Sequence, residues 1–519
     1  MNFAELFRVT LPETALEITA LIVLIVDLGF VRQAAFKTRV ITASLLGVAG
    51  CAAALCALCL QAGTGVYLDG SLILANSGLV TAAQIGILVM TALTLLLLIC
   101  STYTRHVGEF VSLVLMSASG ALLVSAARDL LVIFVGLELL SLGLYILTAF
   151  AKHNPQSAEA ALKYYLFGGM SAAFLLMGFS YLYGLTGSTN LYTIQWNLAA
   201  QGPSPLFYAA WILIVAGLGF KIAAVPFHLW APDTYEGAPA SAAAFIASVS
   251  KVASFTLLLT ISQNLLQPGG LIPGPKDLVE HNLRAFYQTW PQLAGILLLL
   301  AAASMIVGNL AALVQTSVRR LLAYSAIAHA GYILLGIAAQ RVYAGQGSAF
   351  NFFLTSTGPA ARSASAVLFY ALTYGLTTIG AFAVVAVVER ATGSDHFDSF
   401  AGLHKRSPLL AAMLLIFFLS LAGIPPLVGF WAKFNLFAAV LGVSAGPAPF
   451  TLVALAVALS AVSLYYYLQV LKRVYVLPGL DETPIKPHPV TLAVLLFTAA
   501  SVIVFGCFPT LLQNWIASF

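Results

Sequence analysis

The stretch GFKIAAVPFHLWAPD, from Gly219 to Asp233, decides how this chain folds. It carries Lys221 in an apolar run, and Pro226 follows five residues later. A proline inside a helix removes a backbone donor and leaves a carbonyl of the preceding turn without its helical partner. Such carbonyls must face protein or enclosed water where the surroundings are lipid. The stretch therefore predicts an interrupted, protein-enclosed helix that keeps a lysine inside.

The composition of the whole chain supports a lipid environment. Of 519 residues, 61% are hydrophobic and only 8% are charged, whereas soluble domains carry about 25% charged residues. The net charge of +5 is small and scattered, which argues against a nucleic-acid partner. The five cysteines lack iron–sulfur or haem spacing, so we predict no redox centre in this chain. The chain is predicted to be an integral membrane protein.

The apolar runs predict an all-α polytopic protein with about fourteen transmembrane helices. A span needs roughly 20 apolar residues. The candidates lie near residues 11–31, 40–61, 78–101, 110–127, 129–151, 157–184, 206–230, 238–264, 290–315, 318–339, 361–390, 408–440, 447–474 and 488–508. The fourth and fifth are separated only by Arg128 and Asp129.

The basic residues of the loops predict the orientation. Fourteen spans place both termini on one side, and cytoplasmic loops carry an excess of Lys and Arg. If the termini face outward, thirteen basic residues lie inside: Arg32, Lys37, Arg39, Arg105, Lys152, Arg319, Arg320, Arg390, Lys405, Arg406, Lys472, Arg473 and Lys486. Six lie outside: Arg8, Arg128, Lys276, Arg284, Arg341 and Arg362. We therefore predict that both termini face outward.

A second interrupted helix is predicted near the C-terminal end. The stretch LAGIPPLVGFWAKF, from Leu421 to Phe434, contains Pro425 and Pro426 and then Lys433. Each stretch alone could be an ordinary proline kink. Two such stretches about 200 residues apart, each with a lysine, are instead typical of transporters built from inverted repeats.

Ionisable residues inside the predicted helices are the candidate functional residues. Four lysines fall there, with one carboxylate midway along the fifth span and one histidine midway along the tenth: Lys163, Lys221, Lys251, Lys433, Glu138 and His329. A lysine at a helix centre costs about 2.5–3.5 kcal/mol on insertion scales. Lys163 lies near a helix start, where its amine can reach the membrane surface instead. Glu138 could serve a structural ion pair, and His228 and His329 could equally be satisfied core residues.

This set of residues suits proton transfer. Desolvation lowers the pKa of a buried lysine, and a nearby carboxylate raises it again. Histidine already titrates near neutral pH. Moving a partner charge can therefore switch such a group between proton loading and release.

Longer strings around these residues resemble the antiporter-like subunits of respiratory complex I, and among them most closely subunit N, the counterpart of mitochondrial subunit 2. The strings are LPETALE near Leu11, GLELLSLGLYIL at Gly136–Leu147, ALKYYLFG at Ala161–Gly168, GFKIAAVPFHLWAPDTYEGAP at Gly219–Pro239, SVSKVASF at Ser248–Phe255, RRLLAYSAIAHAGY at Arg319–Tyr332 and GIPPLVGFWAKF at Gly423–Phe434. The resemblance runs over essentially the whole chain. The opening string and the lysine of the twelfth helix favour subunit N over its paralogues.

The resemblance implies two inverted five-helix repeats with discontinuous helices 7 and 12. The N-terminal helices 1–3 would occupy residues 1–109, and the first repeat, helices 4–8, residues 110–264. The second repeat, helices 9–13, would occupy residues 290–475, and helix 14 residues 488–519.

The resemblance also implies a role for each candidate residue. Glu138 would pair with Lys221 and bias its proton affinity, and Lys251 would be the central lysine of helix 8. His329 would link Lys251 onward to Lys433, the terminal lysine. Lys163 and His228 match a helix-6 lysine and a helix-7 histidine of the same hydrophilic axis.

The function implied is a proton path in the membrane arm of NADH:quinone oxidoreductase. FMN, Fe–S clusters and NADH would belong to partner subunits, with quinone elsewhere in the complex and no cofactor in this chain. Antiporter-like subunit M and the small subunits J and K would be its neighbours, in a bacterial inner membrane with periplasmic termini. Two alternatives stay open, a Mrp-type cation/proton antiporter subunit and a structural spacer of the membrane arm.

Overall fold

The computed structural model describes residues 7–61, 65–68, 71–99, 104–201, 204–266, 276–339, 359–443, 447–479 and 483–518. The first half contains the helices Leu11–Ile25, Phe36–Cys59, Gly78–Leu98, Val107–Ala126, Leu130–Thr148, Pro155–Thr186, Leu191–Gln201, Pro205–Ile222, Trp230–Gly237, Ala240–Phe245 and Lys251–Leu266. The second half contains Lys276–Ala312, Val318–Ala339, Pro359–Thr392, Leu403–Arg406, Pro408–Ala422, Val428–Val443, Pro447–Tyr475, Pro489–Cys507 and Pro509–Ser518. Five-residue π-helical turns occupy Val26–Phe30 and Ile246–Ser250, and a 3₁₀ turn occupies Phe397–Phe400.

Local capping explains where several helices begin. The Asp129 carboxylate accepts the Leu131 amide at 2.9 Å, and a new helix begins at Leu130, with only residues 127–129 between it and the helix Val107–Ala126. Asn154 accepts the Gln156 amide at 3.0 Å, and Ser204 accepts the Phe207 amide at 3.2 Å. Asn154 and Ser204 are each followed by a proline at the first helical position, where its missing N–H is not needed. The short division between the fourth and fifth spans is therefore a capped boundary.

The structure confirms a multi-pass helical membrane protein. Helices occupy all fourteen predicted positions, and among the described residues twelve are long and apolar enough to cross a membrane. The first and the twelfth positions hold helices that are shorter than a full span. The first helix changes to a π-helical turn after Ile25, and the twelfth is split into two shorter apolar halves. The count of fourteen spans and the repeat boundaries remain predictions.

Both proline-containing spans are interrupted in the described structure. In the seventh position, the helix Pro205–Ile222 stops at Ala223, which has φ of 59°, and helix returns only at Trp230. In the twelfth position, the helix Pro408–Ala422 stops at Gly423, with φ of 89°, and helix returns at Val428. In both spans, the first half-helix is followed by a residue in the left-handed backbone conformation, which is a common way for a helix to end.

Gly423→Ala is expected to lower the free energy of unfolding of the protein in its membrane assembly by about 1–2 kcal/mol. The reason is that a residue with a side chain is strained in the left-handed backbone region. Its added Cβ would also lie 3.0 Å from Cδ of Lys433. Gly442→Ala is the matched control, since nothing lies within 4 Å of a Cβ at that position. Thermal unfolding of the two variants side by side tests this, and equal melting temperatures would contradict it.

Three helices form the centre of the bundle. Within the most apolar 18-residue stretch of each helix, the share of buried residues is 100% for Ala240–Leu265, 94% for Val318–Ala339 and 83% for Ser363–Thr392. Polar residues on these helices consequently face other helices rather than lipid, which is where intramembrane ionisable groups are tolerated.

A short β-hairpin departs from the all-α prediction within the described residues. Strands β1 (Gly65–Leu68) and β2 (Ser71–Ala75) pair antiparallel, with an irregular register between Val66 and Tyr67. It lies between the second and third spans. The Arg128 amide donates to the carbonyl of Ile73 at 2.7 Å, so the hairpin is tied to the boundary between the fourth and fifth spans.

Candidate functional site

Lys221 lies in the last turn of the helix Pro205–Ile222, beside the fifth span. Its side chain is buried, with 6% exposure, and its ammonium donates a hydrogen bond to Oγ of Ser141. Glu138 lies one turn before Ser141 on the helix Leu130–Thr148 and acts electrostatically on Lys221. The structure thus places Lys221 against the helix that carries Glu138, with the Ser141 hydroxyl as its hydrogen-bond partner there.

Tyr145 completes this face of the fifth span. Glu138, Ser141 and Tyr145 are spaced i, i+3 and i+7, which places them on one side of a helix. The ammonium of Lys221 lies 5.9 Å from the Tyr145 ring centroid, within the range of a cation–π interaction. Sequence reasoning missed Ser141 and Tyr145, although their spacing from Glu138 was a usable signal.

Lys251 follows the π-helical turn Ile246–Ser250 directly. Such turns add a residue to a helix and are frequent at functional sites. Lys251 is 3% exposed, and its ammonium donates to the carbonyl of Ala326 at 2.8 Å. It also lies 5.9 Å from the ring centroid of Tyr374. Ala326 precedes His329 by three residues, so the lysine head group reaches the His329 face of that helix.

His329 occupies the middle of the buried helix Val318–Ala339. Its Nδ1 hydrogen-bonds the hydroxyl of Tyr370 at 2.7 Å, and its ring lies 4.9 Å from that of Tyr374. Lys251 and Lys433 both act on His329 electrostatically. Tyr370 fixes the histidine ring by this hydrogen bond and Tyr374 packs against it; the link from Lys251 through His329 to Lys433 stays a prediction.

Lys433 lies on the second half of the interrupted twelfth span and reaches back to the end of the first half. Its ammonium donates to the carbonyls of Leu421 at 3.0 Å and Ala422 at 2.9 Å, and to Oγ of Ser460 at 2.8 Å. Three acceptors match the three donors of an ammonium group. The carbonyl end of a helix also carries partial negative charge, so the break itself builds the lysine site.

A small cavity joins His329 to this break. His329, Tyr370 and Tyr374 lie on one side of it, and Ser420 and Leu421 lie on the other. Its volume is about 10 Å³, close to the room that one water molecule needs. The hydroxyl of Tyr374 is buried without a hydrogen-bond partner among the described residues. The cavity thus lies between His329 and an acceptor of Lys433.

Lys163 lies in a different environment from the other three lysines. Its ammonium contacts Glu159 at 2.6 Å and Asp233 at 2.7 Å, and its side chain is 38% exposed. Arg320 contacts the other oxygen of Asp233 at 2.8 Å and Glu236 at 2.7 Å. Lys163, Glu159, Asp233, Glu236 and Arg320 form a surface ion network that ties helix Trp230–Gly237 to its neighbours.

The charge balance of this ion network favours an ionised Asp233. Lys163 contacts one oxygen of the Asp233 carboxyl at 2.7 Å and Arg320 contacts the other at 2.8 Å. The second half of the seventh span is therefore held by charge on both sides, from Pro155–Thr186 and from Val318–Ala339.

Arg320→Gln is expected to lower the free energy of unfolding by about 1–3 kcal/mol, because it removes the shared partner of two carboxylates in a partly buried network. Arg473→Gln is the matched control: Arg473 pairs with the 78%-exposed Asp398 at 3.3 Å, and an exposed pair contributes about 1 kcal/mol or less. Thermal unfolding of the membrane assembly measures both. Equal losses in the two variants would contradict the role of the ion network.

His228 lies apart from the other predicted site residues. His228 lies half-buried in the break between Pro205–Ile222 and Trp230–Gly237, and the structure groups it with none of the lysines. Within the described ranges, no cluster of three or more His, Cys, Asp or Glu side chains is placed to bind a metal ion.

Comparisons with known proteins agree on one family. A family model described as NADH:quinone oxidoreductase/Mrp antiporter, transmembrane, matches residues 127–268, 281–357 and 352–462. The chain is 46% identical to NADH-quinone oxidoreductase subunit N 2 of Acidobacterium capsulatum over 527 residues, covering 99% of both chains.

Solved structures extend the similarity to three dimensions. A chain of respiratory complex I from Thermus thermophilus, determined with bound aureothin, matches with a TM-score of 0.73 and 32% identity, covering 97% of this chain and 98% of that one. A chain of the Mrp complex from Dietzia matches with a TM-score of 0.76, covering 98% and 96%. Its identity is only 19%, so that second similarity shows a shared fold alone.

Proposed function

Because the chain belongs to the NADH:quinone oxidoreductase/Mrp antiporter transmembrane family, among the subunits N of NADH-quinone oxidoreductases, we propose that it carries a proton path in the membrane arm of respiratory complex I. The identity of 32% to a chain of a solved complex I, over nearly the full length of both, favours this assembly. NADH oxidation and quinone reduction take place elsewhere in the complex.

The observation that carries this proposal is the row of buried cationic and histidine side chains in the bundle. Lys221, Lys251, His329 and Lys433 are each between 3% and 6% exposed. Each has a polar partner, and His329 interacts electrostatically with the two lysines on either side of it. Burying ionisable groups in a membrane protein costs free energy, and such groups commonly mark ion or proton pathways.

The proposed mechanism begins at Glu138. When its carboxylate is near Lys221, the protonated lysine is stabilised; when it moves away, Lys221 releases a proton. The change in charge then acts along Lys251, His329 and Lys433 in turn. Moving one charge against the membrane potential requires about 2.3 kcal/mol per 100 mV, so the change in the interaction between Glu138 and Lys221 must supply at least that much.

The last step of this mechanism passes through the cavity between His329 and the twelfth-span break. A water molecule there would face His329 and the end of the half-helix that holds Lys433. Tyr370 fixes the histidine ring through its 2.7 Å hydrogen bond, which leaves the other ring nitrogen for proton exchange. Lys433 is then the group that passes the proton toward the outer side. We include Lys163 and His228 in the same hydrophilic axis, although their contacts lie apart from this row.

The proposal includes partners, cofactors and location. Subunit M and the small membrane subunits J and K are the proposed neighbours, and FMN, Fe–S clusters and NADH are assigned to partner subunits. The membrane is the bacterial inner membrane, with both termini on the periplasmic side because thirteen loop Lys and Arg residues then face inward. Fourteen spans and two inverted five-helix repeats belong to the same proposal.

The first experiment is to tag the C-terminus, extract the native assembly in mild detergent, and record its mass and NADH:quinone activity. We expect a particle of many subunits that oxidises NADH. A smaller membrane-only particle without NADH oxidation, together with Na⁺-dependent transport, would instead indicate a Mrp-type antiporter. The spacer alternative is tested by the lysine variants below.

A further inference from the structure

A large cavity lies outside the row of lysines. Its volume is about 690 Å³, and it is formed by several helix ends together with the segment before helix Pro489–Cys507. Its charged lining comes from Arg319, Glu389, Arg390 and Lys486, with His488 beside them. All five belong to the predicted inner face. The proposed proton path uses none of these residues.

The cavity carries a positive charge. Three basic side chains and one carboxylate line it, which is a formal charge of +2 with the histidine neutral. Lys486 and Arg390 are exposed, so both can meet a ligand that enters from outside. A cavity with one dominant sign of charge and apolar walls concentrates ions of the opposite sign.

Arg319 supplies a buried donor at the cavity wall. Its side chain is 5% exposed and contacts Glu389 at 3.1 Å, and a second guanidinium nitrogen donates to the carbonyl of Ala238. Its Nε is buried and has no hydrogen-bond partner among the described residues. An unsatisfied buried donor is unfavourable, and an anion in the cavity would supply the missing acceptor.

The start of a long helix forms another part of the wall. Ala240 and Ser241 line the cavity at the beginning of the apolar helix Ala240–Leu265. The preceding cap residue, Pro239, provides no side-chain hydrogen bond. Helix starts present free amides and partial positive charge, and they bind phosphate groups readily.

The remaining walls are apolar. Leu97, Phe382, Val387 and Ile485 line the same cavity as the basic residues. The combination fits an amphiphile whose phosphate meets the arginines and whose hydrocarbon part lies against these side chains. Basic pockets between transmembrane helices on the inner side bind phosphorylated lipid head groups in this way.

We propose that the cavity lined by Arg319, Arg390 and Lys486 is a phosphate-binding site. Its ligand is a phospholipid head group or a free phosphate, and the two sources share the chemistry that the basic residues and the helix start recognise. The site is independent of the proton path proposed above, and it is tested on the native membrane assembly by a readout that needs no turnover.

The test compares two photoreactive probes on the delipidated native assembly. One is phosphatidylglycerol and the other is the diacylglycerol of the same acyl chains, which lacks the phosphate. Labelled peptides are mapped by mass spectrometry. We expect phosphatidylglycerol to label residues 382–391 and 484–491, and the diacylglycerol to label them far less. Competition by inorganic phosphate would identify free phosphate as a ligand of the same site, whereas labelling without competition would identify the lipid.

Charge removal provides the matched variants. Arg390→Ala with Lys486→Ala is expected to weaken phosphatidylglycerol labelling roughly 25-fold, because each basic residue contributes a factor of about five. Lys405→Ala with Lys472→Ala removes two exposed basic residues of the same predicted face outside the cavity lining, and it should leave labelling unchanged. Equal labelling by both probes, or equal effects of the two double variants, would overturn the proposal.

Discussion

Replacing Lys221 with alanine is expected to lower proton translocation and NADH:quinone turnover together, each by about 100-fold or more, the lower end of the range for losing a proton-transfer group. The reason is that Lys221 is the buried ammonium on which Glu138 acts at the start of the proposed path. Proton uptake by inverted membrane vesicles and NADH oxidation by the same vesicles measure the two quantities. Lys152→Ala is the control, because Lys152 is an exposed basic residue of a loop.

Lys221→Met separates charge from packing at this position. Methionine has a similar length and no charge to bury, so the assembly should form at close to the wild-type level while turnover falls as in the alanine variant. A spacer role makes the opposite prediction, with impaired assembly and a normal proton-to-electron ratio. Normal pumping in an assembled Lys221→Met complex would therefore remove Lys221 from the proposed relay.

Replacing Lys433 with alanine is expected to reduce turnover by a similar factor, about 100-fold or more, and also to destabilise the twelfth span. Its ammonium is hydrogen-bonded to the carbonyls of Leu421 and Ala422. Taking the donor away from a buried acceptor costs about 1–3 kcal/mol. Turnover per assembled complex and the melting temperature of the complex should both fall.

Ser460→Ala is the control variant that separates the stabilising role of Lys433 from its proposed role in proton transfer. Ser460 is the side-chain acceptor of the same ammonium, at 2.8 Å, and the variant leaves the lysine and both carbonyl contacts in place. We expect a modest loss of stability and turnover close to normal. If Lys433→Ala lost stability but kept normal turnover per complex, Lys433 would be a structural residue of the break and not a proton carrier.

Much of the site could be predicted from the sequence because intramembrane charges are rare and stand out against apolar runs. Glu138, Lys221, Lys251, His329 and Lys433 stand out in this way, whereas their pairing and order were implied by the resemblance, and their roles stay predictions. Lys163 was harder to place. It lies near a helix start, and only the structure shows that its partners are Glu159 and Asp233.

The aromatic and hydroxyl partners could not be predicted as readily. Tyr370 and Tyr374 come from the helix Pro359–Thr392, which carries none of the strings that mark the resemblance, and tyrosine and serine are common in apolar helices. Their roles depend on which helix faces His329, and that is a long-range packing result. Arg320 was likewise counted among the loop residues and Asp233 was placed at the end of the interrupted seventh stretch, and only packing brings them together at 2.8 Å.

The sequence by itself determined that this chain spans a membrane many times, that two of its helices are interrupted, and which charges lie within them. These properties follow from local chemistry: apolar run length, proline geometry and the cost of a charge in lipid. The tertiary structure decided what each charge meets. Lys433 gains its site only because the second half of its span folds back to the carbonyl end of the first, a contact that no local pattern encodes.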